Sequence, residues 1–486
     1  MVNEYYQGKL HVVFFPFMAH GHMIPTLDTA KLFGARGVKC TIITTPLNSP
    51  FFTKEIEKSK KINEGRSMIE IEVFRFPSVE NGLYKGCENL EQAMMSLDMA
   101  EKFIKAASML REQLEQYLEK TRPHCLVADM FFPWATECAA KFNIPRLVFH
   151  GISLFAHCTK EMVMVHQPYN NVSNDDESFV VPFLPHEIML TRSQLPREYL
   201  VEGEQSELKR RHKKIQESEV QCYGVIVNSF YELEPDYADF FRKQLGRRAW
   251  HIGPVSLCNK SQKDECSLDE HKCLKWLNSK RPNSVIYICF GSLAHLIAPQ
   301  LQEIARALDD LDYEFIWVVR EDKYRMSEEW LPQGFKERTQ GKGLVIGGWV
   351  PQVLILQHEA IGAFVTHCGW NSTLEAISAG VPMVTWPLFA EQFYNEKLVN
   401  NVLKIGAPVG AKKWQVVHFI EDLVKHENIV NAVRKIMDGD KGLEWRNKAR
   451  KLKEMARKAI EENGSSYCDL TSLINELRDY HFQKHD

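Results

Sequence analysis

Two residues of the N-terminal half, His22 and Asp129, have the side-chain types that general-base catalysis needs. His22 follows the apolar run from Leu10 to Phe15, and Asp129 follows the short apolar run that starts at Cys125. Continuous apolar runs of this length are typical of buried parallel strands, and ligands bind at the carboxyl ends of such strands. An imidazole can take a proton from a hydroxyl group, while a carboxylate fixes its tautomer and stabilises the imidazolium. The two positions therefore predict a catalytic pair at one edge of a sheet.

Each of these residues also has a structural explanation when it is considered alone. A histidine can simply fill a loop, and an aspartate after a strand can cap a helix or pair with a cation. A second histidine, His20, lies two positions before His22. The spacing alone does not decide which of the two would act.

The stretch from Trp349 to Gln392 carries residues suited to a nucleotide. Its apolar run from Ile361 to Thr366 leads into the sequence His-Cys-Gly-Trp-Asn-Ser-Thr at positions 367–373. The small residue and the three cap-type residues predict the start of a helix there. A helix start presents unpaired N–H groups and the positive end of the helix dipole, which favour an anion such as phosphate.

The other residues of this stretch follow the order of the parts of a sugar nucleotide. Trp349 offers a flat face for a base, and Gln352 and Glu375 offer groups that can hold ribose hydroxyls. Glu391 and Gln392 offer a carboxylate and an amide for the sugar. The alternative is an ordinary Rossmann-like unit in which these residues only pack, but the ordered set is more specific than a lone glycine motif.

A further candidate, Ser292, follows Gly291 at the end of the apolar run from Val285 to Phe290. Glycine permits a close backbone approach and serine can bond a diphosphate oxygen, although an ordinary turn would have the same sequence. Taken with the residues from His367 to Ser372, Ser292 is assigned to the diphosphate.

The elements that must position these residues alternate between strands and helices. This alternation predicts parallel sheets in an α/β fold, and a chain of 486 residues with 44% hydrophobic residues can bury two cores. We predict two Rossmann-like domains, residues 1–253 and 285–486, joined by a linker region at 254–284 that includes a polar run from Cys258 to Asp264. The predicted strands are 10–15, 40–45, 69–76, 125–128, 225–227 as the last of the first domain, 285–290, 315–319, 344–346, 361–366 and 381–386; the longest predicted helices are 90–118 and 444–462.

On these residues the chain resembles the plant secondary-product glycosyltransferases, family-1 enzymes that use UDP-sugars. The resemblance rests on Trp349, on the run from His367 to Ser372, on Glu375 and on Gln392, and it extends more loosely over nearly the whole chain. It implies the GT-B fold, in which two Rossmann-like domains face each other across a cleft. The donor would lie on the C-terminal domain and the acceptor on the N-terminal domain, with the final helix packing back on the N-terminal domain. The donor-binding residues are then Ser292, Trp349, Val350, Gln352, His367, Gly369, Trp370, Asn371, Ser372, Glu375, Glu391 and Gln392.

The resemblance also identifies the catalytic pair. The runs from Gly21 to Pro25 and from Val127 to Phe132 are similar to the histidine and aspartate motifs of the family, which favours His22 over His20. It implies inversion at the anomeric carbon, so that an α-linked donor gives a β-glycoside. Because no acidic pair suited to a metal is apparent in the sequence, we expect protein groups to stabilise the charge on the diphosphate. Neither a metal nor a cofactor is expected.

The resemblance bears on the substrates as well. Glu391 and Gln392 can bond the equatorial hydroxyls of glucose, and the family associates histidine at the final position with galactose, so UDP-glucose is the expected donor. The run GHMIPTLDTAKLF from Gly21 to Phe33 is similar to the branch that glucosylates flavonoids, betalains and triterpenoids. We expect a small, hydrophobic, hydroxylated acceptor, a flavonoid or another phenolic, held by the irregular region from Gly151 to Val220. The alternative is a triterpenoid or steroid acceptor, or a donor other than UDP-glucose.

Composition argues against several other classes. A net charge of −3 gives no reason to expect nucleic acid or an anionic membrane as a partner. The N-terminal segment is polar and no apolar run is long enough to span a bilayer, so we predict neither a signal peptide nor a membrane span. The twelve cysteines are scattered without Cys-x-x-Cys pairs, which predicts reduced thiols, no structural metal and a cytosolic location. A monomer is expected.

Two other functions are compatible with an α/β chain of this kind. A dehydrogenase is disfavoured, because no Gly-x-Gly-x-x-Gly motif follows the first strand and no acidic residue ends the second, from Cys40 to Thr45. A non-catalytic binder of UDP-sugars would use the same nucleotide-binding residues, but it would not need His22 and Asp129.

Overall fold

The computed structural model describes residues 10–62, 68–200, 207–259, 268–319, 331–415 and 423–482. The polar N-terminal segment and most of the polar run of the linker region lie outside these residues. In chain order the described strands are β1 (His11–Phe15), β2 (Lys39–Thr44), β3 (Ile69–Val73), β4 (Cys125–Asp129), β5 (Arg146–Phe149), β6 (Ser178–Val180), β7 (Met189–Thr191), β8 (Gly224–Val227), β9 (Ala249–His251), β10 (Val285–Cys289), β11 (Glu314–Val319), β12 (Gly343–Gly347), β13 (Ile361–Thr366), β14 (Met383–Thr385) and β15 (Gly406–Pro408).

The described α-helices connect these strands and vary widely in length. They are α1 (His20–Ala35), α2 (Ser49–Ile62), α3 (Leu90–Ala93), α4 (Leu97–Ser108), α5 (Arg111–Thr121), α6 (Ala135–Ala140), α7 (Leu154–His166), α8 (Arg197–Leu200), α9 (Glu207–Val220), α10 (Pro235–Asp239), α11 (Leu268–Leu277), α12 (Ala298–Asp310), α13 (Phe335–Arg338), α14 (Gln352–Leu356), α15 (Trp370–Ala379), α16 (Gln392–Lys397), α17 (His426–Met437), α18 (Gly439–Ile460) and α19 (Ser465–Phe482). None of these described helices is both long and apolar enough to cross a membrane.

Two parallel sheets organise the described chain. The first has seven strands in the order β3-β2-β1-β4-β5-β8-β9, and the second has six in the order β12-β11-β10-β13-β14-β15. Strands β6 and β7 form a separate antiparallel pair. Every residue of β4, β10 and β13 is buried, which is why these central strands are continuous apolar runs in the sequence. The predicted α/β fold with two Rossmann-like sheets is confirmed.

The strand order of each sheet reverses beside its first strand. In the first sheet β1 lies between β2 and β4, and in the second β10 lies between β11 and β13. The crevice at such a reversal is the usual ligand site of an open α/β sheet. His22 and Asp129 follow or end the two strands at the first reversal, and Ser292 and His367 follow the two strands at the second. The topology thus explains how residues far apart in the sequence come together.

The single long helix predicted from Leu90 to Leu118 is wrong. The structure has three helices there, α3, α4 and α5, so the chain breaks once between Ala93 and Leu97 and once between Ser108 and Arg111. A side-chain cap marks the first break, whereas no side chain caps α5. The side chain of Asn89 accepts a hydrogen bond from the N–H of Glu91 at the start of α3, and that of Ser96 accepts one from Met99 at the start of α4. The apolar periodicity continues through both breaks, so it gave no sign of them.

The prediction that residues 225–227 form the last strand of the first sheet is also wrong. Strand β9 follows at the edge, and β5 and β15 were likewise not predicted. Strands β9 and β15 have three residues each, too few for a periodic pattern. Strand β5 begins with Arg146, a charged residue that interrupts its apolar run.

The C-terminal tail contains two helices where one was predicted. Helix α18 begins at Gly439, before the predicted start, and α19 follows it. Apolar residues of α19, including Leu473 and Leu477, are buried in the same core cluster as Val12 of β1 and Trp250 of β9. The last helix of the chain therefore packs on the first sheet.

Candidate active site

His22 and Asp129 form a direct contact. Helix α1 begins at His20, so His22 lies in its first turn. The family resemblance implies a histidine directly before the helix, and the structure places it slightly later. The Nδ1 atom of His22 is 2.7 Å from Oδ2 of Asp129. The other carboxylate oxygen of Asp129 accepts a hydrogen bond from the N–H of Phe131 at 3.0 Å, and the carboxylate is fully buried. Because Nδ1 faces the carboxylate, Nε2 of a neutral His22 ring carries the lone pair that can accept a proton.

The charge state of His22 is decided by its partner. Burial lowers the pKa of His22, but the charge and the hydrogen bond of Asp129 outweigh burial and raise the pKa above its usual value. The carboxylates of Glu391 and Glu91 add to this rise. His22 therefore holds a proton more firmly than a free histidine, as a general base must during transfer.

Arg146, at the start of β5, contacts the backbone of Asp129. Its buried guanidinium group donates a hydrogen bond to the backbone carbonyl of Asp129 at 2.9 Å. Burial lowers the pKa of Arg146 to about 10. Sequence reasoning missed this residue, although a lone arginine in an otherwise apolar strand was a usable signal.

Two aromatic side chains lie close to the ring of His22. The ring of Phe131 lies 5.5 Å from the His22 ring, and that of Phe17 lies 5.9 Å from it. Phe17 is buried in the core, so of these two rings only the half-buried Phe131 can offer an apolar surface to a flat ligand next to His22.

Gln352, Ser372 and Glu375 form one hydrogen-bonded group on the second sheet. The amide nitrogen of Gln352 donates to the hydroxyl of Ser372 at 3.0 Å and to the carboxylate of Glu375 at 2.8 Å, and its oxygen accepts from Tyr287 at 3.2 Å. Burial raises the pKa of Glu375 to about 7, although Gln352 opposes the rise. The structure thus brings together the two residues predicted for the ribose, and it adds Tyr287, which sequence reasoning missed.

Trp349 and Val350 at the start of α14 have different environments. The side chain of Trp349 is 69% exposed, and its ring lies 5.8 Å from that of His20. Its exposed surface is available to a base. Val350 is buried in the core, so its side chain packs there.

His367 lies against two glycines, and both are required by its position. A Cβ atom at Gly291 would be 2.8 Å from the imidazole ring, and one at Gly369 would be 2.5 Å from it. Gly291 also has a φ of +72°, which disfavours any other residue. Burial lowers the pKa of His367 to about 4, and its Nδ1 atom has no hydrogen-bond partner. His367 is therefore a neutral imidazole at physiological pH.

Helix α15 begins at Trp370, within the run predicted to open a helix. Gly369 is the N-cap and no side chain caps the helix, so Asn371 and Ser372 lie within its first turn. The amide nitrogen of Asn371 donates to the carbonyl of Gly21 at 2.8 Å, directly beside His22. The buried indole N–H of Trp370 donates to the carbonyl of Asn228 at 2.7 Å. This hydrogen bond links helix α15 to the segment that follows β8 of the first sheet.

Ser292 contacts a residue that sequence reasoning missed. Its hydroxyl donates to Oε1 of Glu91 at 3.2 Å, across the cleft between the two sheets. The same oxygen accepts from the backbone N–H of His20 at 2.9 Å and lies 3.1 Å from Nδ1 of the His20 ring. No periodic pattern marks Glu91, although the preceding Asn89 has the type of a helix cap.

Glu391 and Gln392 lie at the start of α16. The buried side-chain oxygen of Gln392 accepts from the backbone N–H groups of Leu388 and Phe389 at 2.9 and 3.0 Å. This oxygen holds the preceding loop, so the amide NH₂ is the group suited to a sugar. Glu391 accepts from Asn395 at 3.2 Å, and burial raises its pKa.

Two groups among the described residues have a spacing that could suit a metal. They are His150, His157 and Glu219, all buried, and Glu303, His426 and Glu427. Neither contains a predicted site residue. The metal-independent reaction stays a prediction.

Comparisons with known proteins agree on one family. Residues 74–444 match the model described as UDP-glucoronosyl and UDP-glucosyl transferase. The chain is 54% identical to scopoletin glucosyltransferase of Nicotiana tabacum, covering 97% of this chain and 99% of that protein, and 52% identical to UDP-glucose flavonoid 3-O-glucosyltransferase 7 of Fragaria ananassa, covering 98% and 97%. Among solved structures, UGT73P12 of Glycyrrhiza uralensis, complexed with glycyrrhetinic acid 3-O-monoglucuronide, has a TM-score of 0.90 at 40% identity and covers 98% of this chain and 97% of its own.

Proposed function

The chain belongs to the UDP-glucoronosyl and UDP-glucosyl transferase family, and on that basis we propose that it transfers glucose from UDP-glucose to a hydroxyl group of a small phenolic acceptor, with inversion. The observation that carries the proposal is the contact of 2.7 Å between His22 and Asp129, at the reversal point of the first sheet. Asn371, in helix α15 beside the second sheet, donates a hydrogen bond to the carbonyl of Gly21, next to His22. A base and an anion-binding helix start therefore face each other, as transfer from a sugar diphosphate requires.

The reaction follows from this arrangement. Nε2 of His22 takes the proton of the acceptor hydroxyl, and the oxygen attacks the anomeric carbon from the face opposite the diphosphate. The bond from that carbon to the diphosphate oxygen breaks, UDP leaves with the electron pair, and the α-linked donor gives a β-glycoside. Asp129 stabilises the imidazolium, while Ser292, Asn371 and the neutral ring of His367 donate hydrogen bonds to the leaving diphosphate.

The preference for glucose rests on Glu391 and Gln392. The NH₂ group of Gln392 can donate to a sugar hydroxyl, and the carboxylate of Glu391 can accept from one. The names of the tobacco and strawberry relatives, which specify glucosyl transfer, support this donor.

A phenolic acceptor is supported by the chain's relatives and by its own cleft. Scopoletin and flavonoids are the acceptors in the names of the two relatives at 54% and 52% identity. The half-buried ring of Phe131 offers an apolar surface beside the base. The Glycyrrhiza structure at 40% identity contains a glycyrrhetinic acid glycoside, so triterpenoids belong in the same acceptor screen.

The decisive experiment combines an acceptor screen with two matched histidine variants. Purified protein is incubated with UDP-glucose and a panel of phenolics, flavonoids, triterpenoids and steroids, and the anomeric configuration of each product is determined by NMR. We expect β-glucosides of phenolics, loss of transfer in His22→Ala, and retained transfer in His20→Ala. Transfer retained in His22→Ala, or an α-glucoside, would refute the proposed mechanism, and binding of UDP-glucose without any transfer would favour a non-catalytic binder.

We also propose that the enzyme works in the cytosol, as a monomer and without a metal. The described cysteines are free thiols and most are buried, which fits a reducing compartment. Transfer at an unchanged rate in the presence of EDTA and a monomeric mass by light scattering are the expected results. Localisation of a fluorescent fusion tests the compartment.

A further inference from the structure

Glu91 lies across the cleft from the residue proposed for the diphosphate. Its Oε1 atom accepts hydrogen bonds from the N–H of His20 at 2.9 Å and from the hydroxyl of Ser292 at 3.2 Å. The side chain is 9% exposed, and its second oxygen, Oε2, is buried without a hydrogen-bond partner. Burial raises the pKa of Glu91, but the contacts with His20 outweigh it and lower the pKa, so the group is an anion at neutral pH.

The Ser292 hydroxyl cannot serve two anions at once. A hydroxyl group has one proton and donates one hydrogen bond. In this structure that bond goes to the Glu91 carboxylate. A diphosphate oxygen at Ser292 needs the same proton, and it would also bring a second negative charge close to Glu91.

We propose that Glu91 competes with the diphosphate for the hydroxyl of Ser292, and that it thereby weakens the binding of UDP and speeds the release of this product. The proposal rests on the proposed function, because it requires Ser292 to bind the diphosphate. A purely structural Glu91 would behave differently, since its loss would leave UDP binding unchanged or would weaken it.

The first test measures UDP binding by calorimetry in two variants of Glu91. Glu91→Ala should bind UDP about tenfold more tightly, because a charge-assisted competitor of the diphosphate is removed. Glu91→Gln should show a smaller increase, because its amide oxygen still accepts from His20 and Ser292 but carries no charge. The inhibition constant for UDP in the transfer assay should fall in the same order.

Glu88→Gln is the matched control. Glu88 is also buried, lies in the same segment and bonds the backbone N–H of Leu47 at 2.9 Å, and the structure records no bond from it to Ser292. This variant should bind UDP as the parent does. UDP binding that is unchanged or weaker in both Glu91 variants would refute the competition. If UDP affinity rises as much in Glu88→Gln as in Glu91→Gln, the increase comes from the loss of a negative charge in this segment and the competition at Ser292 is refuted.

The second test separates this inference from the function on which it rests. Ser292→Ala is combined with the parent and with Glu91→Ala. Competition predicts that Ser292→Ala weakens UDP binding more in the Glu91→Ala background than in the parent. If Ser292→Ala has no effect in either background, the diphosphate role of Ser292 fails and the competition fails with it. If Ser292→Ala weakens UDP binding equally in both, the diphosphate role stands and only the competition is refuted.

Discussion

Each of the two reversal points of this fold carries one histidine that was predicted as a site residue, and these two histidines have opposite electrostatics. His22, after β1, touches the buried carboxylate of Asp129, and its pKa is raised. His367, after β13, is held against Gly291 and Gly369, and burial lowers its pKa to about 4. His22 follows the first strand of its sheet, whereas His367 follows the neighbouring strand of the other sheet, where Asp129 is its counterpart. The same side chain thus has a raised pKa at one reversal point and a lowered pKa at the other.

This difference shows that the groups next to each histidine decide its charge state, and with it the chemistry that the side chain can perform. A carboxylate stabilises the imidazolium, which a base must form during catalysis. Near the diphosphate a carboxylate would repel the leaving group, and glycines that allow close approach are the better neighbours.

Removing the carboxylate of Asp129 should have the largest effect on the contrast between His22 and His367. We expect Asp129→Ala to lower kcat by about 10²- to 10⁴-fold, because the imidazolium of His22 loses its stabilising charge. The KM for UDP-glucose should change much less. The acid limb of the kcat profile should also move to lower pH, since the pKa of His22 is no longer raised by Asp129. Steady-state kinetics from pH 5 to 9 measures all three quantities, and a folded Asp129→Ala protein with parental turnover would remove Asp129 from the mechanism.

Removing the second histidine should affect binding and not proton transfer. We expect His367→Ala to weaken both UDP and UDP-glucose by about tenfold, because a hydrogen bond to the diphosphate is lost. His367→Gln, which keeps a neutral donor, should lose less. Calorimetry with UDP measures both variants, and parental affinity in His367→Ala would reassign this histidine to packing.

The sugar end of the proposed donor site gives an expected effect of similar size, but on donor selectivity and not on UDP affinity. Gln392→His should lower the ratio of kcat/KM for UDP-glucose to that for UDP-galactose by about tenfold, since unpaired polar groups are what discriminate such isomers. The comparison needs one good acceptor and both donors. An unchanged ratio would mean that Gln392 only holds the loop through Leu388 and Phe389, and a parent enzyme that prefers UDP-galactose or UDP-glucuronate would overturn the assignment of glucose.

The smallest expected effect concerns the ribose. The pKa of Glu375 is raised to about 7, and its ionised form is the better acceptor for ribose hydroxyls. UDP affinity should therefore rise from pH 6 to pH 8 by up to about tenfold as the carboxylate loses its proton. Calorimetry at pH 6, 7 and 8 measures this slope. In Glu375→Gln, the part of the pH dependence of UDP affinity that comes from this carboxylate should be absent. An equal pH dependence in the parent and in Glu375→Gln would show that Glu375 does not change its charge at the ribose.

The sequence allowed most strands of both sheets to be predicted, because buried parallel strands are continuous apolar runs. Together with the family resemblance, it also allowed His22, Asp129 and the ordered residues from Trp349 to Gln392 to be predicted as site residues. The contacts of Glu91 with Ser292 and of Tyr287 with Gln352 could not be predicted, because each joins elements that lie far apart in the chain. The contact of Arg146 with Asp129 joins two consecutive strands, and it was missed because β5 was not predicted. The helix break at Ser96 depends on a single hydrogen bond, which periodicity does not detect.

The position of α19 has a consequence for how the chain folds during synthesis. The first sheet is encoded before residue 252, but α19, which covers part of its core, begins only at Ser465. The carboxylate of Asp469 in this helix accepts a hydrogen bond from the N–H of His251 in β9. At about 5–20 residues per second, the ribosome needs on the order of 10 to 45 seconds to make the intervening chain. Until then the apolar surface that Leu473 and Leu477 bury stays open to water or to a chaperone, and a ribosome-bound chain that ends before α19 should be more sensitive to protease than the finished protein.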